Sequence, residues 1–436
     1  MAVTGGERAT AESQIRVRVE SDLAAELARR DRTRLKVDDQ TWVYELVARV
    51  VGEEQRRALT AMSREEFDEI RRKVFAAVTP LGPLAEHLAD PDVEEVRING
   101  TQACFVFKMG KRYEVEPPFG DEASLVELVH WYTDGTASAR LDRASPTVTM
   151  TLPEGSRLHA ALSPPARPMS VTIRRHPPAR FPDLTSLADS GFLPRELIDF
   201  LEAAVAGRLN ILIAGGAGAG KTTFMRVLAR LIPADERVVT IEDQSELHLW
   251  KELRDCISLE GRPPNTEGRG AITIQMLVHE ALRMSPDRII IGEVRGGEAL
   301  DLLDAMNTGH PGSICTIHAD SPRETLPRLV RVALRNAHAP RPEAVLAEVA
   351  HTVDLVLYTG FVRGAAAAGE SRGRRLLSLG CVGGVDDGRP IVQELVGLGH
   401  EGRWHRVGSP AAMPERVRTK LAQACDPLHL LDAFDA

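Results

Sequence analysis

The chain of 436 residues has few cysteines, few aromatic residues and no long hydrophobic run. Its five cysteines lie far apart and form no C-x-x-C pair, which argues against a zinc ribbon or a disulfide framework. No apolar run approaches the roughly 18 residues that a membrane-spanning helix needs. The first twenty residues have no apolar core, so they do not resemble a secretory signal. We therefore expect a chain that stays in the cytoplasm.

Charge and aromatic content argue against a nucleic-acid-binding protein. The 54 Lys and Arg residues face 62 Asp and Glu residues, which gives a net charge of −8, and aromatic residues make up only 4%. A protein that binds nucleic acid usually combines a basic surface with aromatic side chains on which bases stack. We expect no direct contact with nucleic acid. The 43% hydrophobic and 27% charged residues are typical of a globular protein.

Changes of pattern along the chain predict four segments. Residues 1–78 have apolar side chains at helical spacing, which predicts a helical module. Residues 79–178 hold short alternating runs and turn signals, which predict the strands of a small domain. A proline-containing stretch at 179–190 predicts a linker. From 191 to 436, strand-like and helix-like runs alternate before a strand-rich tail, which favours a mainly parallel sheet with helices on both faces.

The alternating runs of the last segment can be placed on the sequence. The predicted strands are Asn210–Ala214, Arg237–Ile241, Arg288–Gly292 and Ser313–Ile317. The predicted helices lie at about 221–231, 273–284 and 297–307.

The clearest motif is GGAGAGKT at 215–222, which fits the pattern G-x-x-x-x-G-K-[ST] between a strand and a helix. Its glycines let the backbone wrap around phosphates, and the following helix adds its positive N-terminal end. Lys221 would reach the β and γ phosphates, and the Thr222 hydroxyl would bind Mg²⁺. The predicted nucleotide-binding residues are Gly215, Gly216, Ala217, Gly218, Ala219, Gly220, Lys221, Thr222 and Thr223.

The lysine of this motif is unusual for the chain. Only seven of the 54 basic residues are lysines, and Lys221 is the only one between residues 112 and 250. A guanidinium is a planar fork, whereas a phosphate-binding loop needs the compact point charge of an ammonium group. The choice of lysine at this position therefore supports nucleotide binding over a chance glycine-rich turn.

Two acidic residues and a histidine follow later strands. Glu242 and Glu293 each stand at the end of an apolar strand, where an acid can hold Mg²⁺ or polarise a water molecule. We assign Glu293 as the base, because it is the sole acid directly after its strand, and Glu242 as the acid on the metal side. A helix cap is the alternative for either one alone. His318 follows a third strand, where it would sense the γ-phosphate, while His310 fits a structural turn equally well.

In this order, the motifs resemble the type II/type IV secretion ATPase superfamily, the hexameric motors of pilus assembly and secretion. The resemblance covers residues from about 80 to 360. It rests on the phosphate-binding loop, V-T-I-E-D-x-x-E-L at 239–247, L-R-M-x-P-D-R-I-I-I-G-E-V-R-G-G-E-A at 282–299 and T-G-H-x-G-S-x-x-T-I-H-A at 308–319. The branch it resembles most is that of the tight-adherence (Flp/Tad) pilus ATPases, because of R-P-P-N at 262–265, E-V-R-G-G-E-A-L-D at 293–301 and L-P-E-G-S-R-L at 152–158.

The resemblance implies an α/β fold, with a RecA-like P-loop motor domain preceded by a small α/β domain and an N-terminal helical extension. It implies that ATP binds between the two domains. By position, it makes Glu293 the Walker B carboxylate, Glu242 the acidic-box carboxylate and His318 the histidine-box sensor. It further implies arginines from the small domain at the nucleotide, matching Arg157 and either Arg174 or Arg175, of which we take Arg157 and Arg175 as catalytic. Solvated charge on a strand is the alternative for these arginines.

The predicted function is that of an Mg²⁺-dependent, ATP-hydrolysing ring motor that powers pilus assembly or protein secretion. The resemblance implies a homo-oligomer, a hexamer, that works with a platform protein of the inner membrane and lies at its cytoplasmic face. One alternative is a RecA-like motor for DNA uptake or conjugation. Another is a nucleotide-gated scaffold that does not hydrolyse ATP, against which the intact Glu242, Glu293 and His318 argue.

Overall fold

The structure is a computed structural model that divides the chain into two compact units, Met1–Pro178 and Ala179–Ala436. It describes residues 5–32, 35, 39–57, 64–79, 82–108, 111–133, 139–152, 155–175, 181–262, 264, 268–363, 372–399, 402–424 and 431–435. Within these ranges, no helix is both long enough and apolar enough to span a bilayer. Residues 364–371 and part of the R-P-P-N motif at 262–265 lie outside the described residues.

The first unit begins with three helices whose apolar faces pack together. They are α1 (Gly5–Arg29), α2 (Gln40–Arg57) and α3 (Arg64–Val78). Their shared core contains Ile15, Val19, Val43, Val47, Val50 and Val74. Apolar residues three, four and seven positions apart lie on one face of a helix, so the spacing in this stretch is accounted for by helix packing.

A six-stranded antiparallel sheet completes the described part of the first unit, in the order β3-β2-β1-β6-β5-β4. Its strands are β1 (Val93–Asn99), β2 (Ala103–Lys108), β3 (Lys111–Val115), β4 (Thr147–Thr151), β5 (Arg157–Ala161) and β6 (Ser170–Arg174). The helices of this region are α4 (Ala85–Ala89) and α5 (Glu122–Thr133). The sheet and α5 share an apolar core that includes Val96, Ile98, Leu125 and Leu128.

The second unit is built on a nine-stranded sheet in the order β15-β14-β13-β12-β7-β11-β10-β8-β9. The strands from β12 to β9 run parallel, and β13, β14 and β15 extend the sheet antiparallel. They are β7 (Ile211–Gly215), β8 (Val238–Glu242), β9 (Cys256–Glu260), β10 (Arg288–Ile291), β11 (Ile314–His318), β12 (Leu355–Arg363), β13 (Arg372–Asp386), β14 (Arg389–Leu398) and β15 (Trp404–Arg406). Each of the four predicted strands is present within one residue of its predicted position.

Helices cover both faces of this sheet. They are α6 (Leu184–Asp189), α7 (Ile198–Ala206), α8 (Lys221–Ala229), α9 (Ile274–Ala281), α10 (Glu298–Asn307), α11 (Pro322–Ala333), α12 (Pro342–Thr352) and α13 (Glu415–Leu421). Alternate residues of β7 enter two separate cores: Ile211 and Ile213 contribute to one, and Leu212 and Ala214 to the other. A strand that is buried on both faces has a continuous run of apolar residues, which is why the run at Asn210–Ala214 predicted a strand.

The segment predicted as a linker, 179–190, differs in the structure. Its described residues, 181–190, include α6, whose N-cap Asp183 accepts a hydrogen bond from the backbone N–H of Ser186 at 2.7 Å. Leu184 and Leu187 of this helix are buried in the core of the second unit. The segment therefore belongs to the second unit, because its two leucines are one helical turn apart and share a buried face. The division of residues 1–178 at residue 78 stays a prediction.

Candidate active site

The phosphate-binding loop, 215–222, leaves the carboxyl end of β7 and enters α8. Two of its glycines are required by their surroundings. A Cβ atom on Gly215 would lie 2.2 Å from the carbonyl oxygen of Thr359 on the neighbouring strand. Gly220 has φ +92°, and a Cβ atom there would lie 3.1 Å from Cε2 of Phe192. Other residues would clash or be strained at these positions, so the loop can pass this close to its neighbours only with glycine.

Lys221 begins α8 and is only 7% exposed. Its Nζ donates hydrogen bonds to the carbonyl oxygens of Gly215 at 3.0 Å and Gly216 at 2.9 Å. Burial lowers the pKa of the Lys221 ammonium, and the nearby charge of Glu293 opposes that shift. The ammonium therefore lies over the loop and is held there by carbonyl groups that a phosphate oxygen can replace.

His318 joins Lys221 to Glu293. Its Nδ1 is 3.5 Å from Nζ of Lys221, and its Nε2 is 3.2 Å from Oε1 of Glu293. Burial, and then the charge of Lys221, lower the pKa of His318, which favours the neutral imidazole. With Lys221 as a donor on one side and a carboxylate on the other, we assign Nδ1 as the acceptor and Nε2–H as the donor. The three residues meet because the loop after β7, the end of β11 and the end of β10 lie side by side at one edge of the sheet.

Two further charged residues extend this network and were missed by the sequence analysis. Arg295 donates from Nη2 to Oε2 of Glu293 at 2.6 Å and from Nη1 to Oδ2 of Asp243 at 3.1 Å. Arg295 stands two residues after Glu293, a signal that was present in the E-V-R-G motif. Arg295 thus donates a hydrogen bond to one oxygen of Glu293, His318 lies within ion-pair distance of the other, and the network runs from Lys221 to Asp243.

Glu242 has a different environment from Glu293. It is 4% exposed, and its Oε1 accepts hydrogen bonds from the backbone N–H groups of Glu246 and Leu247, each at 3.1 Å. The N–H of Leu247 also lies 3.3 Å from Oε2. Burial raises the pKa of Glu242 to about 7, although these backbone bonds favour the charged form. No hydrogen bond or ion pair among the described residues joins it to Lys221 or Glu293.

These surroundings bear on the predicted metal ligands, Thr222 and Glu242. Hydroxyl and carboxylate oxygens are the ligands that Mg²⁺ prefers. Thr222 is half-buried in the first turn of α8, and its hydroxyl has no hydrogen-bond partner among the described residues, so it fits the predicted metal. Oε1 of Glu242 could ligate a metal only by giving up a backbone hydrogen bond, whereas Oε2 accepts only the longer contact from Leu247 at 3.3 Å. Within the described ranges, no group of three His, Cys, Asp or Glu side chains forms a metal site.

The three arginines of the first unit differ in their partners. Arg157 on β5 lies directly opposite Arg174 on β6, and neither has an ion pair among the described residues. Like charges placed opposite each other on neighbouring strands are unfavourable unless something neutralises them, so this pair is suited to an anion. Arg175, in contrast, donates a hydrogen bond from its guanidinium to the backbone carbonyl of Asp90. The predicted contact of Arg157 and Arg175 with nucleotide stays a prediction.

His310 lies in the turn before β11. Its Nδ1 donates a hydrogen bond to the carbonyl oxygen of Pro286 at 2.8 Å, and its own carbonyl accepts one from the Ser313 hydroxyl at 2.9 Å. These bonds join two loops and favour the structural interpretation of this residue over a role in chemistry.

The family described as "Type II/IV secretion system protein" matches residues 79–405. The chain belongs to this family. Its membership confirms the predicted superfamily and, with the sheet order above, the predicted fold class: a RecA-like P-loop domain preceded by a small α/β domain and N-terminal helices. The family description agrees with the predicted secretion-system class, while ATP hydrolysis by this chain stays a prediction. The tight-adherence branch stays a prediction.

Individual relatives are similar to parts of the chain. A protein of Mycobacterium tuberculosis whose name places it in conjugal transfer is 39% identical over 218 residues, which are 48% of this chain and 61% of that protein. VirB11 of Agrobacterium fabrum is 32% identical over 310 residues, covering 64% of this chain and 87% of that protein. The crystal structure of the VirB11 ATPase of the Brucella suis type IV secretion system is 28% identical, covers 70% of this chain and 95% of that one, and has a TM-score of 0.35. The match therefore spans about three fifths of the mycobacterial relative.

Proposed function

We propose that this protein hydrolyses ATP and uses the energy to drive a pilus-assembly or protein-secretion system. The observation that carries the proposal is the contact of Lys221, His318 and Glu293 at the carboxyl edge of the sheet, with distances of 3.5 and 3.2 Å from the imidazole nitrogens. A phosphate-binding lysine and a carboxylate that can orient or deprotonate water are parts that phosphoryl transfer to water uses, and His318 contacts both of them. A scaffold that only binds nucleotide would not need the carboxylate at this place.

The roles follow from these contacts. Phosphate oxygens replace the carbonyl groups of Gly215 and Gly216 on the Lys221 ammonium, which then offsets negative charge as the terminal bond breaks. Glu293 accepts a proton from the attacking water, since its Oε2 accepts a hydrogen bond from Arg295 while its Oε1, 3.2 Å from Nε2 of His318, keeps lone pairs for the water. His318 contacts both Lys221 and Glu293, so a phosphate bound at Lys221 changes the surroundings of Glu293 through this histidine. Arg295 fixes the second oxygen of Glu293.

Mg²⁺ would be held on the protein side by the Thr222 hydroxyl, with Glu242 as the predicted acidic partner. When bound, it would neutralise charge on the β and γ phosphates. Glu242 is bonded to its own backbone turn, so we propose that it acts on the metal side without a direct bond.

The assembly around this activity is inferred from the family and from its relatives. We propose a hexameric ring of identical chains at the cytoplasmic face of the inner membrane, with a membrane platform protein as its partner and no direct contact with nucleic acid. The relatives include VirB11 proteins and a protein named for conjugal transfer, so a motor for conjugation or DNA uptake is the second candidate. The net charge of −8 and the 4% aromatic content favour the first.

Phosphate release measured with and without DNA would test this function. We expect hydrolysis by the wild-type chain at a rate that single-stranded and double-stranded DNA leave unchanged. A rate that depends on DNA would support the second candidate. No hydrolysis by a folded, nucleotide-bound oligomer would support the scaffold.

Replacing Arg157 by alanine is expected to lower ATP turnover by about 1000-fold, with little change in ATP affinity, because an arginine that meets the γ-phosphate acts mainly in the transition state. Arg175→Ala tests the second predicted arginine in the same way. Turnover and nucleotide affinity should be measured separately. Arg140→Ala is the matched control, since Arg140 is an exposed arginine of the same unit that pairs with Asp142.

The isolated second unit provides a second test of these arginines. Residues 179–436 should bind nucleotide and turn it over slowly, and the fragment must start before Leu184 because α6 belongs to its core. Full turnover by this fragment, or by both arginine variants, would contradict a catalytic arginine in the first unit.

A further inference from the structure

The hairpin of β12 and β13 extends past the end of the strand that carries the phosphate-binding loop. β12 pairs with β7 as far as Thr359 opposite Gly215, where β7 ends. It then continues to residue 363 while still paired with β13. The extension therefore runs beside the loop on the flank opposite to β11 and β10.

Two side chains of this extension lie at the loop. Phe361 and Arg374 are directly opposite each other in the β12–β13 register, so they share a face of the hairpin. Cζ of Phe361 is 3.8 Å from the position that a Cβ atom on Gly218 would take, and Cδ of Arg374 is 3.9 Å from the same position at Gly220. Both are therefore in contact range of the loop backbone.

Phe361 is not buried, as an aromatic residue of a central strand usually is, and Arg374 has no charged partner among the described residues. Phe361 is 43% exposed, although the part of its own strand that pairs with β7 is buried. Arg374 is exposed, and it has no ion pair or hydrogen bond among the described residues. An uncovered aromatic ring and an unpaired guanidinium beside a phosphate-binding loop can bind the two chemically distinct parts of a nucleotide.

The direction in which a nucleotide would lie follows from the other flank of the loop. Lys221 follows the loop after β7, and His318 and Glu293 stand at or just after the ends of the neighbouring strands β11 and β10, so the terminal phosphate faces that side. The base end must then leave the loop on the opposite side, where the hairpin stands.

We propose that Phe361 is the nucleobase platform of this protein and that Arg374 contacts the phosphates nearest to the ribose. This inference rests on the proposed binding of ATP at the loop. Stacking of a base on an aromatic side chain does not require a particular hydrogen-bond pattern, so the platform contributes affinity for the nucleoside part. The arginine contributes charge and therefore acts on any polyphosphate.

The test is a set of binding titrations by calorimetry on the full chain, with ATP, ADP and inorganic tripolyphosphate as ligands. Phe361→Ala should weaken ATP and ADP by roughly tenfold and leave tripolyphosphate unchanged. Phe361→Trp should keep wild-type affinity for all three ligands. Arg374→Gln should weaken all three, and its effect should shrink as salt is added. Val385→Ala is the matched control, since Val385 is 44% exposed on the same strand as Arg374 but at its other end.

The possible failures are separate. If the wild-type chain binds ATP and Phe361→Ala binds it equally well, the platform is wrong while the proposed function stands. If Phe361→Ala also loses tripolyphosphate, the ring supports the loop and not the base, and the inference is again overturned. If the wild-type chain binds neither ATP nor tripolyphosphate, the proposed function itself fails.

Discussion

Lys221→Ala is expected to reduce ATP turnover at least about 100-fold while the protein stays folded. Lys221 is 7% exposed, and its ammonium lies over the loop within 3.0 Å of two backbone carbonyl groups. It is the only basic residue of the loop, so its loss removes the positive charge that the loop itself supplies. Alanine is a good helix former at the start of α8, and the freed carbonyl groups can bind water, which limits the loss of stability. Phosphate release and a thermal unfolding curve should be measured on the same sample.

The matched control for this prediction is Lys251→Ala. Lys251 is one of the few other lysines of the second unit, and its Nζ lies 5.2 Å from the ring centroid of Trp250. Its loss should leave turnover unchanged. If a folded Lys221→Ala protein hydrolysed ATP at the wild-type rate, that result would contradict the assignment of the loop as the site that binds the reacting phosphates.

Glu293→Gln is expected to bind ATP and to hydrolyse it roughly 100-fold to 10,000-fold more slowly, because glutamine keeps the size of the side chain but cannot accept a proton from water. Its amide would still contact His318 or Arg295 through one oxygen, so the loop and its bound nucleotide should persist. Single-turnover assays would show ATP that remains bound and uncleaved. ATP affinity, measured separately, should change little.

Glu242→Gln separates the two acids. Because Glu242 is bonded to the backbone of Glu246 and Leu247 and has no described contact with His318, its replacement should lower turnover less than Glu293→Gln does. Glu280→Gln is the control, since Glu280 is an exposed acid paired with Arg283. Normal hydrolysis by Glu293→Gln together with lost hydrolysis by Glu242→Gln would reverse the roles given to these residues.

Some features of the site could be predicted from short stretches of sequence. The phosphate-binding loop is contiguous, so its glycines, Lys221 and Thr222 occupy fixed offsets that a motif records. The strands around it are buried on both faces and therefore read as apolar runs, which gave their positions within one residue. The expectation that Glu293 and His318 end strands at one edge followed from the alternation of strands and helices.

Other features depended on contacts between distant parts of the chain. From the sequence, Glu293 differs from Glu242 only in being the sole acid directly after its strand, and only the fold encloses Glu242 in a backbone turn while exposing Glu293 to His318 and Arg295. Residues 184–189 fell inside the predicted linker 179–190 because of the prolines that precede them at 177, 178 and 182, and two leucines are too few to outweigh that composition. Phe361 gave no signal, because one aromatic residue in a strand is usually part of a core.

The family, the parallel α/β sheet and the phosphate-binding loop with Lys221 at its end can be read from the amino-acid sequence, because each of them is written in contiguous residues or in the local period of apolar side chains. The partners of the charged residues depend instead on the tertiary fold. The order β12-β7-β11-β10 puts His318 between Lys221 and Glu293, and puts the hairpin with Phe361 and Arg374 on the other flank of the loop. Strand order depends on how helices cross over the sheet and is not contained in the spacing of residues along any one strand.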